Sequence, residues 1–140
     1  MAKKKSNRLP PVATDFTNSW AKEVAQYDAF GAPGISFEEH QLPFTLASGS
    51  IDIYVSATLI YRGPGGDLEG ILNYFPKGFP EIEAPGNFLV IVDPACRNKG
   101  IALKLLTEAD LRWSINFQQQ IYTTGGRALA SAFLKARSSR

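Results

Sequence analysis

The residues best suited to chemistry stand together in the segment Arg97-Asn98-Lys99-Gly100-Ile101-Ala102. An apolar run precedes it at Phe88 to Val92, and an amphipathic pattern follows it as far as Trp113. The first amides of a helix lack partners within the helix and carry partial positive charge, so such an end attracts anions. Gly100 permits close approach of the backbone, and Arg97 and Lys99 supply charge that neutralises phosphate. The segment therefore predicts a phosphate-binding loop between a strand and a helix.

The elements that must position this loop follow from the spacing of apolar residues. Ile51 to Tyr61 alternates and predicts a strand, and Leu68 to Phe75 predicts its antiparallel partner across a glycine-rich turn. Phe88 to Val92 is typical of a short strand buried on both faces. The remaining pattern predicts a helix over Ile101 to Trp113, a strand over Ile115 to Tyr122, and a last helix from Thr123 or Thr124 to Ala136.

Two helices are predicted before the first strand. The first is indicated by apolar residues at helical spacing, namely Phe16, Trp20, Val24 and Tyr27. Ser36 with Glu39 three residues later fits the capping box of a short second helix, which Pro43 closes. Residues 1–13 are basic and then proline-rich and are expected to form a flexible arm, followed by a single domain over 14–140. This order of elements predicts an α+β fold.

Composition limits the classes of function. A hydrophobic fraction of 44% and a charged fraction of 20% are ordinary for a globular protein of 140 residues. The single Cys96 excludes an internal disulfide, and no Cys or His pair has metal-ligand spacing, so no metal site is expected. No apolar run is long enough for a membrane span, and a cytoplasmic location is expected. The basic arm leaves contact with nucleic acid open.

The order Arg97, two residues, Gly100, one residue, Ala102 resembles the acyl-CoA signature of the GNAT superfamily of N-acetyltransferases. The family pattern is Arg or Gln, two residues, Gly, one residue, then Gly or Ala, and Val92-Asp93-Pro94 is also similar to its strand exit. The resemblance implies a mixed sheet flanked by helices in a three-layer α/β/α arrangement, with acetyl-CoA as acyl donor. It implies that the pantetheine arm pairs with the backbone of Leu89, Val90, Ile91 and Val92. It implies a pyrophosphate site formed by Arg97, Asn98, Lys99, Gly100, Ile101 and Ala102.

The resemblance also implies direct transfer of an acetyl group to a primary amine, which needs an acid and a base. The tyrosine that many family members carry in the last helix is missing here, so Tyr122 is the candidate acid. Glu69 and His40 are the candidate bases, and His40 is the one histidine of the chain. Structural roles stay open for the same residues, since Tyr122 also fits a half-buried strand position and His40 a surface position.

Other functions and assemblies stay open at this point. The chain lacks the two strands that follow the last helix in the family, and a homodimer is predicted to cover the sheet edge left by them. The alternative function is a GNAT-like module that binds CoA or a partner without catalysis. A small nucleic-acid-binding domain ranks last, because it rests only on the basic ends of the chain. The amine acceptor is not identified by the sequence.

Overall fold

The computed structural model describes Leu9 and residues 20–78, 85–120, 122 and 124–138, apart from the side chains of Lys22, Leu42 and Thr124. Four strands in this part of the chain form one antiparallel sheet in the order β1-β2-β3-β4. They are β1 (Gly34–Thr45), β2 (Ile51–Arg62), β3 (Leu68–Phe75) and β4 (Asn87–Val92). The helices are α1 (Trp20–Val24), α2 (Ile101–Trp113) and α3 (Thr124–Ser138). The α+β class predicted from the sequence is confirmed.

The hairpin of β2 and β3 forms as predicted. Ala57 pairs with Tyr74 and Tyr61 with Gly70, after which the register shifts by one residue at Arg62. The shift is a β-bulge that leaves Glu69 as the extra residue of β3. Since a bulge redirects the side chains around it, Leu68 and the following Glu69 line the same cleft.

The predicted second helix over Ser36 to Pro43 is wrong, because this segment is part of strand β1. Glu38 pairs with Thr58 and His40 with Ser56 along a continuous antiparallel ladder. The spacing of Ser36 and Glu39 fits a capping box, but all twelve residues of the strand pair with β2 in one ladder. Pro43 is compatible with the strand because β1 lies at the edge of the sheet.

Two apolar clusters lie on opposite faces of the sheet. Leu59 and Leu72 pack with α2 and α3, whereas Ile60 and Ile71 pack with α1. Neighbouring residues of a strand point to opposite faces, so these adjacent pairs divide the core into two layers. Helices therefore flank both faces, although the described strands pair antiparallel throughout and the sheet is not mixed within them.

Both ends of the domain differ from the expectation. The strand predicted over Ile115 to Tyr122 is interrupted by a short 3₁₀ helix at Phe117–Gln119, and Tyr122 forms an isolated bridge. Most of the predicted arm, and Phe16 of the predicted first helix, lie outside the described residues. Leu9 is described and is buried in the cluster beneath α2 and α3, where its carbonyl accepts a hydrogen bond from Arg127 at 3.2 Å.

Candidate functional site

The junction between β4 and α2 has the geometry of an anion site. It consists of residues 93–100, called here the junction loop, and the first turn of α2. Gly100 caps α2 with φ +76°, and an atom added at its Cβ position would meet nothing within 4 Å. The first bond within α2 runs from the amide of Lys104 to the carbonyl of Gly100 at 3.0 Å. The first amides of α2 therefore have no partner within the helix, and they lie at the positive end of a helix of 13 residues.

The backbone before Gly100 adds to this site. Asn98 has a left-handed backbone with φ +66°, as Gly100 does with φ +76°. Lys99, which lies between them, does not have a positive φ. Backbone that alternates in this way turns successive amides toward a common concavity, which suits an anion. Arg97, Asn98 and Lys99 are exposed around it, so both cationic side chains are free to approach a bound phosphate.

The start of α2 is held by close packing on β3. Ile101 and Leu105 are buried, and both lie over Gly70, where a Cβ atom would stand 2.7 Å from Cγ2 of Ile101. Only a residue without a side chain lets the helix approach the strand this closely. Gly70 therefore sets the position of the start of α2, a role that the sequence did not indicate.

The hydrogen bonds of β4 divide into two pairs the four residues that the family resemblance assigned to the pantetheine arm, Leu89 to Val92. The amide of Asp93 donates to the carbonyl of Glu69 in β3 at 2.9 Å, whereas the amide of Phe88 donates to Oε1 of Gln120 at 3.0 Å. Backbone groups alternate in direction along an antiparallel strand. Leu89 and Ile91 therefore direct their backbone toward β3, and Val90 and Val92 direct theirs away from it.

The side chain of Gln120 forms hydrogen bonds to the start of β4. Its amide oxygen accepts from Phe88, and its amide nitrogen donates to the carbonyl of Gly86 at 2.8 Å and to that of Asn116 at 3.1 Å. The side chain is buried, so these bonds fix the start of β4 against the segment after α2. No pattern in the sequence indicates this contact, which joins residues more than 30 positions apart.

Glu69 lies close to the junction loop. A cleft of about 370 Å³ is formed by residues from α1 and the turn after it, from the β2–β3 turn and from the junction loop. We call it the acidic cleft, and its main lining residues are Trp20, Tyr27, Phe30, Asp67, Glu69 and Asp93. Asp93 also caps the short helix Pro94–Cys96 by accepting from the amide of Ala95 at 2.9 Å.

Cys96 lies in the wall of the same cleft. Burial raises the pKa of its thiol, and the carboxylates of Glu69 and Asp93 raise it further. A thiol whose pKa is raised holds less of the reactive thiolate at neutral pH. This agrees with the sequence, which offers no partner that would make Cys96 a nucleophile.

His40 is distant from the junction loop. It lies on β1, whereas the junction follows β4 at the other edge of the sheet, about 14 Å away across three strand spacings. Its ring meets the ring of Tyr27 edge-on at 5.9 Å, and its Nε2 lies 3.3 Å from Oε1 of Glu38, an ion-pair distance without hydrogen-bond geometry. Behind it, the hydroxyl of Thr58 donates to the Asn73 amide oxygen at 2.7 Å.

Tyr122 lies on the opposite face of the sheet from His40. Its ring belongs to the core beneath α2 and α3, and its hydroxyl donates to the carbonyl of Phe117 at 2.7 Å. Burial raises the pKa of this hydroxyl. The structure therefore does not bring Tyr122, Glu69 and His40 together, and of the three only Glu69 adjoins the junction loop.

Replacing Tyr122 with Phe is expected to lower the free energy of unfolding by about 1–2 kcal/mol, because the buried carbonyl of Phe117 loses its donor. Urea unfolding at neutral pH measures this loss. The raised pKa means that the unfolded chain ionises above pH 10.0 while the folded chain stays neutral. The contribution of Tyr122 to the free energy of unfolding is thus complete below that pH and decreases above it. The Tyr122→Phe variant should therefore lose less stability than the wild type in alkali. An equal loss of stability above pH 10.0 in the wild type and the variant would contradict the buried position of the Tyr122 hydroxyl.

Comparison of the chain with models of known protein families, with curated proteins and with solved structures gave no match. Among the described residues, no helix is long and apolar enough to cross a membrane. The same residues bring no three His, Cys, Asp or Glu side chains close enough to hold a metal ion. A function must therefore be argued from the junction and its surroundings.

Proposed function

We propose that this protein binds acetyl-CoA at the junction of β4 and α2 and is an N-acetyltransferase with a GNAT-like fold. The observation that supports the proposal is the start of α2, where the exposed Arg97, Lys99 and Gly100 directly precede the first helical amides, which have no partner within the helix. These residues carry the family pattern, and they follow a strand and begin a helix, which is the context the pattern requires. The predicted strand–loop–helix order is present around them.

In this proposal the protein contributes backbone donors and positive charge. The amides of Gly100, Ile101 and Ala102, with Arg97 and Lys99, hold the pyrophosphate. The backbone of Val90 and Val92 is directed away from β3 and pairs with the pantetheine arm, whereas that of Leu89 and Ile91 is used within the sheet. The amide of Val90 is accordingly preferred to that of Ile91 for polarising the thioester carbonyl.

The transfer step is the direct attack of an amine on the thioester carbonyl carbon. The carbon–sulfur bond breaks, the amine gives up a proton, and the departing thiolate takes one. Glu69 is the preferred base among the residues predicted from the sequence, because its carbonyl bonds to Asp93 and its side chain lines the adjoining cleft. Water is the simplest source of the thiolate's proton, since the hydroxyl of Tyr122 donates to Phe117.

The second candidate function is a CoA-binding module without catalysis. It is favoured by the separation of Tyr122, Glu69 and His40 on different parts of the sheet. The two functions share the CoA site and differ in turnover. A cytoplasmic location, a homodimer and contact with nucleic acid stay predictions from the sequence.

A thiol-release assay with acetyl-CoA and a panel of primary amines separates the two functions. We expect an amine-dependent release of CoA that decreases at least tenfold in Glu69→Gln if that carboxylate is the base. Glu108→Gln makes the same chemical change on the exposed side of α2 and should leave the rate unchanged. Binding of acetyl-CoA with no release above the amine-free rate would favour the non-catalytic module.

A further inference from the structure

The acidic cleft collects negative charge that the described part of the chain does not neutralise. Asp67, Glu69 and Asp93 line it, and none of them forms an ion pair with a described Lys or Arg. This charge affects the nearby thiol of Cys96, because all three carboxylates raise the pKa of the thiol and Lys99 lowers it. Carboxylates that line one concave surface attract a positively charged ligand.

Aromatic rings form the other wall of the cleft. Phe30 lines the cleft and is 70% exposed, so its ring is accessible to a ligand. The backbone at Phe30 is held in place, because Phe30 forms a β-bridge with Asp67 and the amide of Leu68 donates to the carbonyl of Ala29 at 3.0 Å. Trp20 and Tyr27 lie in the same wall, and the hydroxyl of Tyr27 is turned away to Thr58 and Asn73. Aromatic rings beside carboxylates suit a cation with an apolar body.

A bare metal ion does not fit this arrangement. The carboxylates are distributed around a cleft of about 370 Å³, and among the described residues no three His, Cys, Asp or Glu side chains come close enough to hold a metal ion. That volume lies within the range of sites for small organic ligands. We propose that the acidic cleft binds an organic cation, with its ammonium group toward Asp67, Glu69 and Asp93 and its apolar part against Trp20, Tyr27 and Phe30. This inference does not rest on acyl-CoA binding.

The two tryptophans of the chain allow a direct test. Trp20 lines the cleft, whereas Trp113 stacks on Tyr74 with ring centroids 4.6 Å apart, at the other end of α2. In ¹⁵N-labelled protein, titration with benzylammonium at neutral pH should shift the indole signal of Trp20 saturably and leave that of Trp113 in place. The Trp113→Phe variant assigns the two signals. Benzyl alcohol, which has the same ring without the charge, is the matched ligand control.

Variants show which groups hold the cation. Glu69→Gln should weaken benzylammonium binding by about threefold to tenfold, because it removes one carboxylate from a partly exposed charge site. Glu108→Gln should leave the affinity unchanged, since that residue pairs with Arg112 on α2. Phe30→Ala removes an exposed ring without opening the core and should weaken binding by a similar factor.

Three results would overturn the proposal. They are equal binding of benzyl alcohol and benzylammonium, a shift of Trp113 in place of Trp20, and no saturable shift of either signal at millimolar ligand. Acetyl-CoA is absent from the titration, so failure here would leave the CoA site untouched. Failure of CoA binding would likewise leave a positive result for the cation unchanged.

Discussion

Gly100→Asp should remove most acetyl-CoA binding, whereas Gly100→Asn should retain it. Residue 100 has a left-handed backbone at φ +76°, a conformation that Asn and Asp adopt more readily than other side chains. An added Cβ meets nothing within 4 Å, so both side chains fit without a clash. They differ only in charge, and the aspartate would place a negative charge where the pyrophosphate is proposed to lie. Its repulsion predicts an affinity at least about tenfold lower than that of the Asn variant.

Calorimetric titration with acetyl-CoA measures this difference, and thermal unfolding provides the control. Aspartate at the start of a helix is favourable to the helix by about 0.3–1 kcal/mol, so the Asp variant should unfold at or above the temperature of the Asn variant. A loss of binding then cannot be attributed to loss of the fold. Equal affinities of the two variants would place the phosphate elsewhere on the protein.

Gly70→Ala should destabilise the protein by about 1–3 kcal/mol, because it overpacks the contact between α2 and β3. The new methyl group would stand 2.7 Å from Cγ2 of Ile101 and 3.2 Å from Cδ1 of Leu105. Both neighbours are buried, and the side chain of Ile101 is stiff because it is β-branched. The strain is relieved only if the start of α2 moves away from the sheet. We therefore expect weaker acetyl-CoA binding by the variant as well, at a temperature where it is still folded.

Gly125→Ala is the matched control for this substitution. It adds the same methyl group near the start of α3, where an added Cβ meets nothing within 4 Å. Alanine favours a helix over glycine by about 1 kcal/mol, so the control should be as stable as the wild type or more stable. Urea unfolding compares the three proteins. An unchanged free energy of unfolding in Gly70→Ala would mean that α2 is not positioned by this contact.

The elements around the junction could be predicted because their patterns are local. Alternating apolar residues identify β2, and the spacing from Ile101 to Trp113 identifies α2. Strand β1 was missed because Ser36 and Glu39 fit a helix cap as well as a strand, and the choice depends on pairing with β2. The strand predicted over Ile115 to Tyr122 fails at Asn116, whose side chain accepts from the amide of Gln118 and turns the chain.

In the candidate site, too, the residues that are close in sequence could be predicted, and the contacts between distant segments could not. Arg97, Gly100 and Ala102 are neighbours in sequence and could be recognised by their spacing. The acidic cleft joins α1, the β2–β3 turn and the junction loop, and its inclusion of Glu69 depends on a bulge in β3. The partner of the Tyr122 hydroxyl depends on the 3₁₀ helix at Phe117. No spacing within the sequence specifies such contacts, because they are set by how the elements pack.

Binding of acetyl-CoA at the β4–α2 junction is tested most directly by the backbone amide signals of ¹⁵N-labelled protein during titration with acetyl-CoA. We expect saturable shifts at Gly100, Ile101 and Ala102 from the pyrophosphate and at Val90 and Val92 from the pantetheine arm. The edge strand β1 should be unaffected. No saturable change, or changes confined to β1 and the β1–β2 turn, would contradict an acyl-CoA site at this junction.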